Sequence, residues 1–228
     1  MLNVDKIYVL HYTKLTDRKV RLDRYFDDHN IEVEYITDYD QEVLTEEMIS
    51  ESYECDEGLY NSKIPLAYGS RSEPFRELNL AEISCTFKHR LAIEKIAKEC
   101  PRYGLILEDD AMLREPFEDL FNTFISQTPR DWDAIFMGCC AGLHVPEHRL
   151  KEGVVAYQMQ HPASRGGDSY LLTRLAASKI SNTMKTFTTI SDWELGYQIY
   201  KHDLTTYWWE PPLVVQGSES GLYKSSLR

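Results

Sequence analysis

Tyr103-Gly-Leu-Ile-Leu-Glu-Asp-Asp-Ala-Met-Leu113 decides how the rest of this chain is read. Leu105 to Leu107 is a short apolar run of the kind that forms a buried strand of a parallel sheet. It ends abruptly in three adjacent carboxylates, Glu108, Asp109 and Asp110, which repel one another and resist burial. A divalent cation resolves that conflict, because hard oxygen donors suit Mg²⁺ or Mn²⁺. Residues two apart on a strand share a face, so Glu108 and Asp110 are expected to point together and Asp109 away. In open α/β sheets, ligands bind at the carboxyl ends of strands. An acidic turn with solvated side chains also accounts for these residues, and the run alone does not separate the two readings.

Outward from this strand, apolar patterning alternates between short runs and helical stripes. Ile7 to Leu10 reads as a first buried strand, Lys14 to His29 as a helix, and Ile31 to Ile36 as a second strand ending in Thr37-Asp-Tyr-Asp40. Leu80 to Glu99 is the best helix, with Ile83, Phe87, Leu91, Ile93 and Ile96 on its stripe and Pro101 beyond its end. After the acidic strand come a helix over Pro116 to Ser126 and a strand over Trp132 to Gly138. Val154 to Met159 and Ser169 to Thr173 read as strands, and Arg174 to Lys185 and Ser191 to Tyr200 as helices. Thr205 to Glu210 and Leu213 to Val215 are late strands. Residues 41–78 lose the pattern and read as an irregular, functional or mobile segment. The tail from Gly217 to Arg228 reads as polar and flexible. Strands alternating with helices predict an α/β fold with a mostly parallel sheet.

Composition narrows the function. The 228 residues suit a single domain, 43% hydrophobic and 27% charged, with enough apolar residues for a core. A formal net charge of −12 disfavours duplex nucleic acid or an anionic membrane as partner. An anionic substrate stays open, because a bound cation reverses the local field. The five cysteines, Cys55, Cys85, Cys100, Cys139 and Cys140, have no metal-binding spacing and read as free thiols of a reducing compartment. No secretory pattern or membrane span is visible, so a soluble, cytoplasmic protein is expected.

Six pieces, the acidic strand among them, stand in a recognisable order. Asp17-Arg18 follows the first strand. Leu80-Ala-Glu-Ile-Ser-Cys-Thr-Phe-Lys-His89 carries Glu82, Ile83, Cys85 and His89. Leu105-Ile-Leu-Glu-Asp-Asp110 follows, then Asp168-Ser-Tyr-Leu-Leu-Thr-Arg174, then Ile190-Ser-Asp-Trp-Glu-Leu195 with Pro212-Leu-Val-Val-Gln216. Together these resemble glycosyltransferase family 25, the lipopolysaccharide-biosynthesis and procollagen galactosyltransferase type. Lys88 departs from the family's small-Ser-His triplet, and residues 46–75 match nothing in it. The resemblance implies a single GT-A domain over residues 1–228, with a nucleotide-binding half to about residue 113 and an acceptor-binding half beyond. It implies sugar transfer, with inversion, from a nucleotide-sugar donor, UDP-linked in most of the family, to a hydroxyl of a glycan or glycoprotein. It places Glu108 and Asp110 at the Asp-x-Asp metal motif, with Asp110 on Mn²⁺ or Mg²⁺ and Glu108 reaching the ribose or a metal-bound water. Galactosyl or glucosyl transfer is the expected activity.

The chemistry assigns the remaining candidates. A departing nucleoside diphosphate gains negative charge, which a divalent cation stabilises. Inversion needs one general base opposite the leaving group. Asp192 is the first candidate and Glu194 the second, although an acid at a helix start also simply complements the dipole. Arg18, Asp38, Glu82, His89, Glu108 and Asp109 are candidates for the nucleotide and cofactor side. Arg18 reads equally as a solvated cation, Glu82 as a helix cap and His89 as a core histidine. The loop Gln158 to Gly167, with His161 and Gly166-Gly167, is a candidate cover for the donor sugar, and Asp168 a candidate contact to its hydroxyls. Tyr207-Trp208-Trp209 reads as strand core. Two other functions use the same residues: a nucleotidyltransferase, disfavoured because no glycine follows the first strand, and a non-catalytic binding domain of the same fold.

Overall fold

A computed structural model of the chain describes residues 1–69 and 73–225. The expected α/β alternation is present. The strands β1 (Lys6–Leu10), β2 (Glu34–Ile36), β3 (Tyr103–Glu108), β5 (Ala134–Phe136), β6 (Ala156–Met159), β7 (Ser169–Thr173) and β8 (Thr206–Trp209) form one sheet in the order β2-β1-β3-β7-β5-β8-β6. A separate ribbon pairs β4 (Ala111–Leu113) with β9 (Val214–Gln216). The helices are α1 (Thr16–Asp28), α2 (Glu46–Ser52), α3 (Glu57–Tyr68), α4 (Leu80–Glu99), α5 (Phe117–Gln127), α6 (Arg174–Thr183) and α7 (Ser191–Lys201).

Side chains alternate across the sheet as a period of two requires. Tyr8, Leu10 and Ile106 pack under α4, α6 and α7, with Ile93, Ile96, Ile180 and Leu195. Ile7, Val9, Leu105 and Leu107 face α1 and α5, with Leu22, Phe26, Phe117 and Phe121. Trp208 and Trp209 lie in these opposite cores, and each indole N–H is satisfied, by Ala163 O and Thr128 Oγ1. The aromatic triplet is therefore core, as its pattern indicates.

The sheet is mixed rather than mostly parallel in its pairings. β1 pairs in parallel with β2 and β3, and β5 with β8, but β7 runs antiparallel to both β3 and β5, and β6 to β8. This reversal matters for the site. It brings the start of β7 beside the end of β3, so that Glu108 N donates to Asp168 O at 2.9 Å. Two acids 60 residues apart in the chain become neighbours at the carboxyl end of β3, in the middle of the sheet.

Residues 41–78 are not irregular as expected. Thr45 and Asp56 cap α2 and α3, their side chains accepting from Met48 N at 3.2 Å and Leu59 N at 2.7 Å. Pro65 inside α3 and the weak apolar stripe hide the helix from a periodicity reading. Their stability comes from docking. Gly196 allows α3 to approach α7 so closely that a Cβ there would lie 2.8 Å from Ala67 O. Residues 70–72 and the last three residues of the tail, 226–228, lie outside the described residues.

The described part of the tail is held in place, which corrects the expectation of flexibility. Gly217 N and Ser218 N donate to Asp110 O and Oδ2, and Lys224 O accepts from Arg18 Nη2 at 2.8 Å. The Tyr223 ring lies under the guanidiniums of Arg18 and Arg21.

Candidate active site

The three acids that end β3 take three different environments. Asp109 turns towards β1 and α1 and is 5% exposed. Its Oδ1 accepts from Arg18 Nη1 at 2.7 Å, and its Oδ2 lies 2.9 Å from His11 Nδ1 and accepts from Tyr12 N. Both oxygens are thus committed to charge-assisted bonds within the protein. Glu108 and Asp110 have far fewer cationic partners. Among the described residues, Glu108 accepts from Gln216 Nε2 at 3.2 Å and faces His89 Nε2 at 3.3 Å. Asp110 is 2% exposed; Ser218 N reaches its Oδ2, while its Oδ1 is buried without a partner among the described residues.

Asp168 adds a fourth acid. It is 1% exposed, its Oδ2 accepts from Ser169 Oγ at 2.9 Å, and its Oδ1 is buried with no partner among the described residues. Gly138, at the end of β5, makes this possible: a Cβ there would sit 1.7 Å from Asp168 Oδ2. Burial, then the charge of Glu108, pushes the Asp168 carboxyl up to about 8. Burial, then Asp110 and Asp109, pushes Glu108 up to about 8. Asp192, at the start of α7, is pushed up to about 6 by burial and by Glu108, against the Trp193 N–H that donates to its Oδ1. Glu108, Asp110 and Asp168 are hard oxygen donors of the type a divalent cation takes, but among the described residues the group whose ligand atoms lie within 4.8 Å of one another is Cys85, His89 and Glu108.

Two clefts meet at Glu108. The first lies between the end of β1 and the first half of α4 and includes Tyr12, Arg18, Gln41, Ser84, Lys88 and Asp110 in its lining. Its cations are all paired. Lys88 Nζ donates to Asp40 Oδ1 at 2.7 Å and Asp38 O at 2.6 Å, which leaves a third N–H for a ligand. The second cleft is wider and is bounded by the segment before α4, the start of α7 and the tail. Asp192, Trp193, Glu82, Tyr60 and Gly167 line it. Tyr60 and Tyr68 of α3 pack against Trp193, with ring centroids 6.4 and 5.4 Å away.

Most of the sequence candidates gather here, and some do not. Arg18, Glu108, Asp109 and Asp110 line the first cleft; Glu82, Glu108 and Asp192 line the second. Glu82 also completes a capping box with Asn79 and pairs with Arg76, so its side chain is spent on the helix start. Asp38 is exposed and contributes only its carbonyl; the acid turned inward is Asp40, two residues on, which sequence reading missed. Glu194 is fully buried, paired with Lys63 at 3.1 Å and accepting from Thr189 Oγ1 and Gln198 Nε2. It lines neither cleft, and its helix position explains why: two residues after Asp192, it points to the opposite side. His89 is 2% exposed, bonded through Nδ1 to Tyr170 OH at 2.8 Å, and burial lowers its pKa to about 4, so it stays neutral.

The glycine loop is not shaped as a cover. Arg165 is fully buried and clamps it, donating to Leu143 O, Trp209 O and Glu210 Oε2. Gly167 makes room for the protein's own side chains, since a Cβ there would lie 3.2 Å from Glu108 Oε1 and His89 Nε2. His161 packs on the Tyr200 ring away from the acids.

Comparison with known proteins names the class: the chain is a glycosyltransferase. Residues 4–194 match the profile of glycosyltransferase family 25 (LPS biosynthesis protein), and the protein belongs to that family. No curated protein matches it. Among solved structures, the crystal structure of A197 from STIV aligns at 12% identity with a TM-score of 0.42, covering 91% of this chain and 81% of that chain. A likeness that weak carries no argument. Among the described residues no helix is long and apolar enough to cross a membrane.

Proposed function

We propose that this glycosyltransferase has a GT-A-type arrangement and moves a hexose, with inversion, from a UDP-sugar to a hydroxyl of a glycan or glycoprotein, with Mn²⁺ or Mg²⁺ bound. The observation that carries the reading is the pair of buried, unpartnered oxygens, Asp110 Oδ1 and Asp168 Oδ1, beside Glu108. Buried polar atoms without partners are rare in folded proteins and point to a missing ligand. Asp110 and Glu108 would hold the cation, with Asp168 adjoining. When bound, the cation supplies charge stabilisation for the departing diphosphate.

The chain's own residues divide the remaining work between the clefts. In the first, Arg18 and Lys88 are fixed by Asp109 and Asp40 and present positive charge to an anionic donor without searching rotamers. In the second, Asp192 accepts the proton of the attacking hydroxyl. A carboxylate raised to about 6 is a better base than an ordinary one and is still largely ionised near neutrality. Trp193, with Tyr60 and Tyr68 behind it, offers a flat apolar face for an acceptor ring.

Calorimetric titration of UDP into the EDTA-treated protein, with and without Mn²⁺, tests the reading. Heat that appears only with Mn²⁺ is the expected result. Equal binding in EDTA removes the metal from the proposal. Absence of heat in both removes UDP, and GDP and CMP become the next titrants.

A further inference from the structure

We propose that Cys85, His89 and Glu108 form a second metal site, suited to a borderline-soft ion such as Zn²⁺, next to the carboxylates that suit a hard cation. Cys85 and His89 lie four residues apart on α4 and so share one face of the helix. The end of β3 brings Glu108 against that face. One ligand atom from each residue falls within 4.8 Å of the other two. Sulfur, imidazole nitrogen and carboxylate oxygen are the three donor types that Zn²⁺ takes, and three protein ligands leave a fourth position open.

The surroundings are those of a built site. Tyr170 OH, 2.8 Å from His89 Nδ1, with its ring stacked on the imidazole at 5.8 Å, fixes the ring so that Nε2 faces Glu108. Such outer contacts orient metal-binding histidines. Gly167 closes one side of the His89–Glu108 pair. Access comes from the clefts, since Cys85 and Glu108 line both. On binding, the thiol proton of Cys85 passes to solvent and a sulfur–metal bond forms, with no change of oxidation state. Selection is by softness: sulfur favours Zn²⁺ here, while the oxygens of Asp110 favour Mn²⁺ or Mg²⁺. Glu108 belongs to both sets, so Zn²⁺ withdraws a ligand from the hard site. That consequence rests on the metal-dependent reading above; the Zn²⁺ site itself does not.

The test needs no turnover. EDTA-treated full chain is titrated with Co²⁺, a coloured substitute for Zn²⁺. The expected result is a sulfur-to-cobalt charge-transfer band that Zn²⁺ displaces, that Cys85→Ser abolishes and that Asp110→Asn leaves in place. Tyr170→Phe should weaken Zn²⁺ affinity by about 10-fold to 100-fold. In the unmutated protein, Zn²⁺ but not Mg²⁺ should protect Cys85 from alkylation while exposed Cys55 reacts as before. A charge-transfer band that survives Cys85→Ser, or alkylation of Cys85 that Zn²⁺ does not slow, overturns the site. Because the protection assay uses unmutated protein, a variant that fails to fold does not blunt it. UDP binding with Mn²⁺ is scored separately, so either proposal can fail alone.

Discussion

The two sides of the β3 terminus treat acidic residues in opposite ways. On the side of β1 and α1, acids have cations: Asp109 holds Arg18 and His11, and Asp40 holds Lys88. On the side of β7 and α7, Glu108, Asp110, Asp168 and Asp192 crowd one another, and among the described residues no lysine or arginine comes closer than the 4.0 Å contact of Arg18 with Asp110. The first arrangement stabilises the native chain by itself. The second costs stability until something positive arrives. Asp109 and Asp110, adjacent just beyond β3, therefore have opposite surroundings: the first is satisfied by cations of the protein, and the second keeps a buried carboxylate oxygen that has no partner among the described residues.

The largest effect expected from this contrast is catalytic. Asp192→Asn should lower kcat by roughly 10²-fold to 10⁴-fold, the usual worth of a general base, while leaving Mn²⁺-dependent UDP binding intact. Single-turnover transfer assays beside calorimetry check it, and near-normal transfer would remove Asp192 from the mechanism. Next is stability on the paired side. Asp109→Ala strands Arg18 as a buried charge and should cost about 3–5 kcal/mol in urea unfolding. Asp110→Asn, one residue on, should leave the metal-free protein as stable or more so, because it removes a repulsive charge from beside Glu108. If both substitutions destabilise equally, the division between the two sides is wrong. Somewhat smaller is Lys63→Met, which leaves Glu194 unpaired with no exposure and should cost about 3 kcal/mol. It should also raise KM for the acceptor more than for the donor, since α3 carries Tyr60 against Trp193.

How far these regions were legible follows from the same physics. Local signals carried β3, α4 and the acids at its end, because an apolar run stopped by three carboxylates and a helix stopped by proline need no tertiary information. Asp110 stood out for that reason, whereas Asp192 was singled out by its place at a helix start together with the family resemblance. Asp168 stood out only as a loop acid; its place beside Glu108 depends on β7 running antiparallel, which no local pattern encodes. Glu194 and Asp192 look alike in sequence, and only the docking of α3 with Lys63 separates them. Helices α2 and α3 were missed as periodicity but announced by Thr45 and Asp56, whose capping role sequence can suggest and only structure can show. Asp40 was overlooked in favour of Asp38 because burial, rather than residue type, distinguishes them.

The smallest expected effect sharpens the comparison most directly, because it reads the unpaired acids as a group. In the metal-free protein, Glu108 rises from an ordinary 4.5, and Asp168 from 3.8, each to about 8. The folded state thus holds protons that the unfolded chain releases at lower pH, and the stability these groups contribute is present below about pH 4 and lost as pH rises towards 8. His89 has the opposite sign: lowered from 6.5 to about 4, it adds stability as pH climbs to 6.5 and nothing above. Between pH 6.5 and 8 the carboxylates act alone, and stability in EDTA should fall by on the order of 1 kcal/mol per pH unit. Urea unfolding across that window measures it. Mn²⁺ should flatten the fall, since a bound cation favours the ionised acids, and Asp168→Asn should flatten it without metal. A stability that stays level in EDTA would mean that the crowded acids have found partners, and the contrast with Asp109 would lose its basis.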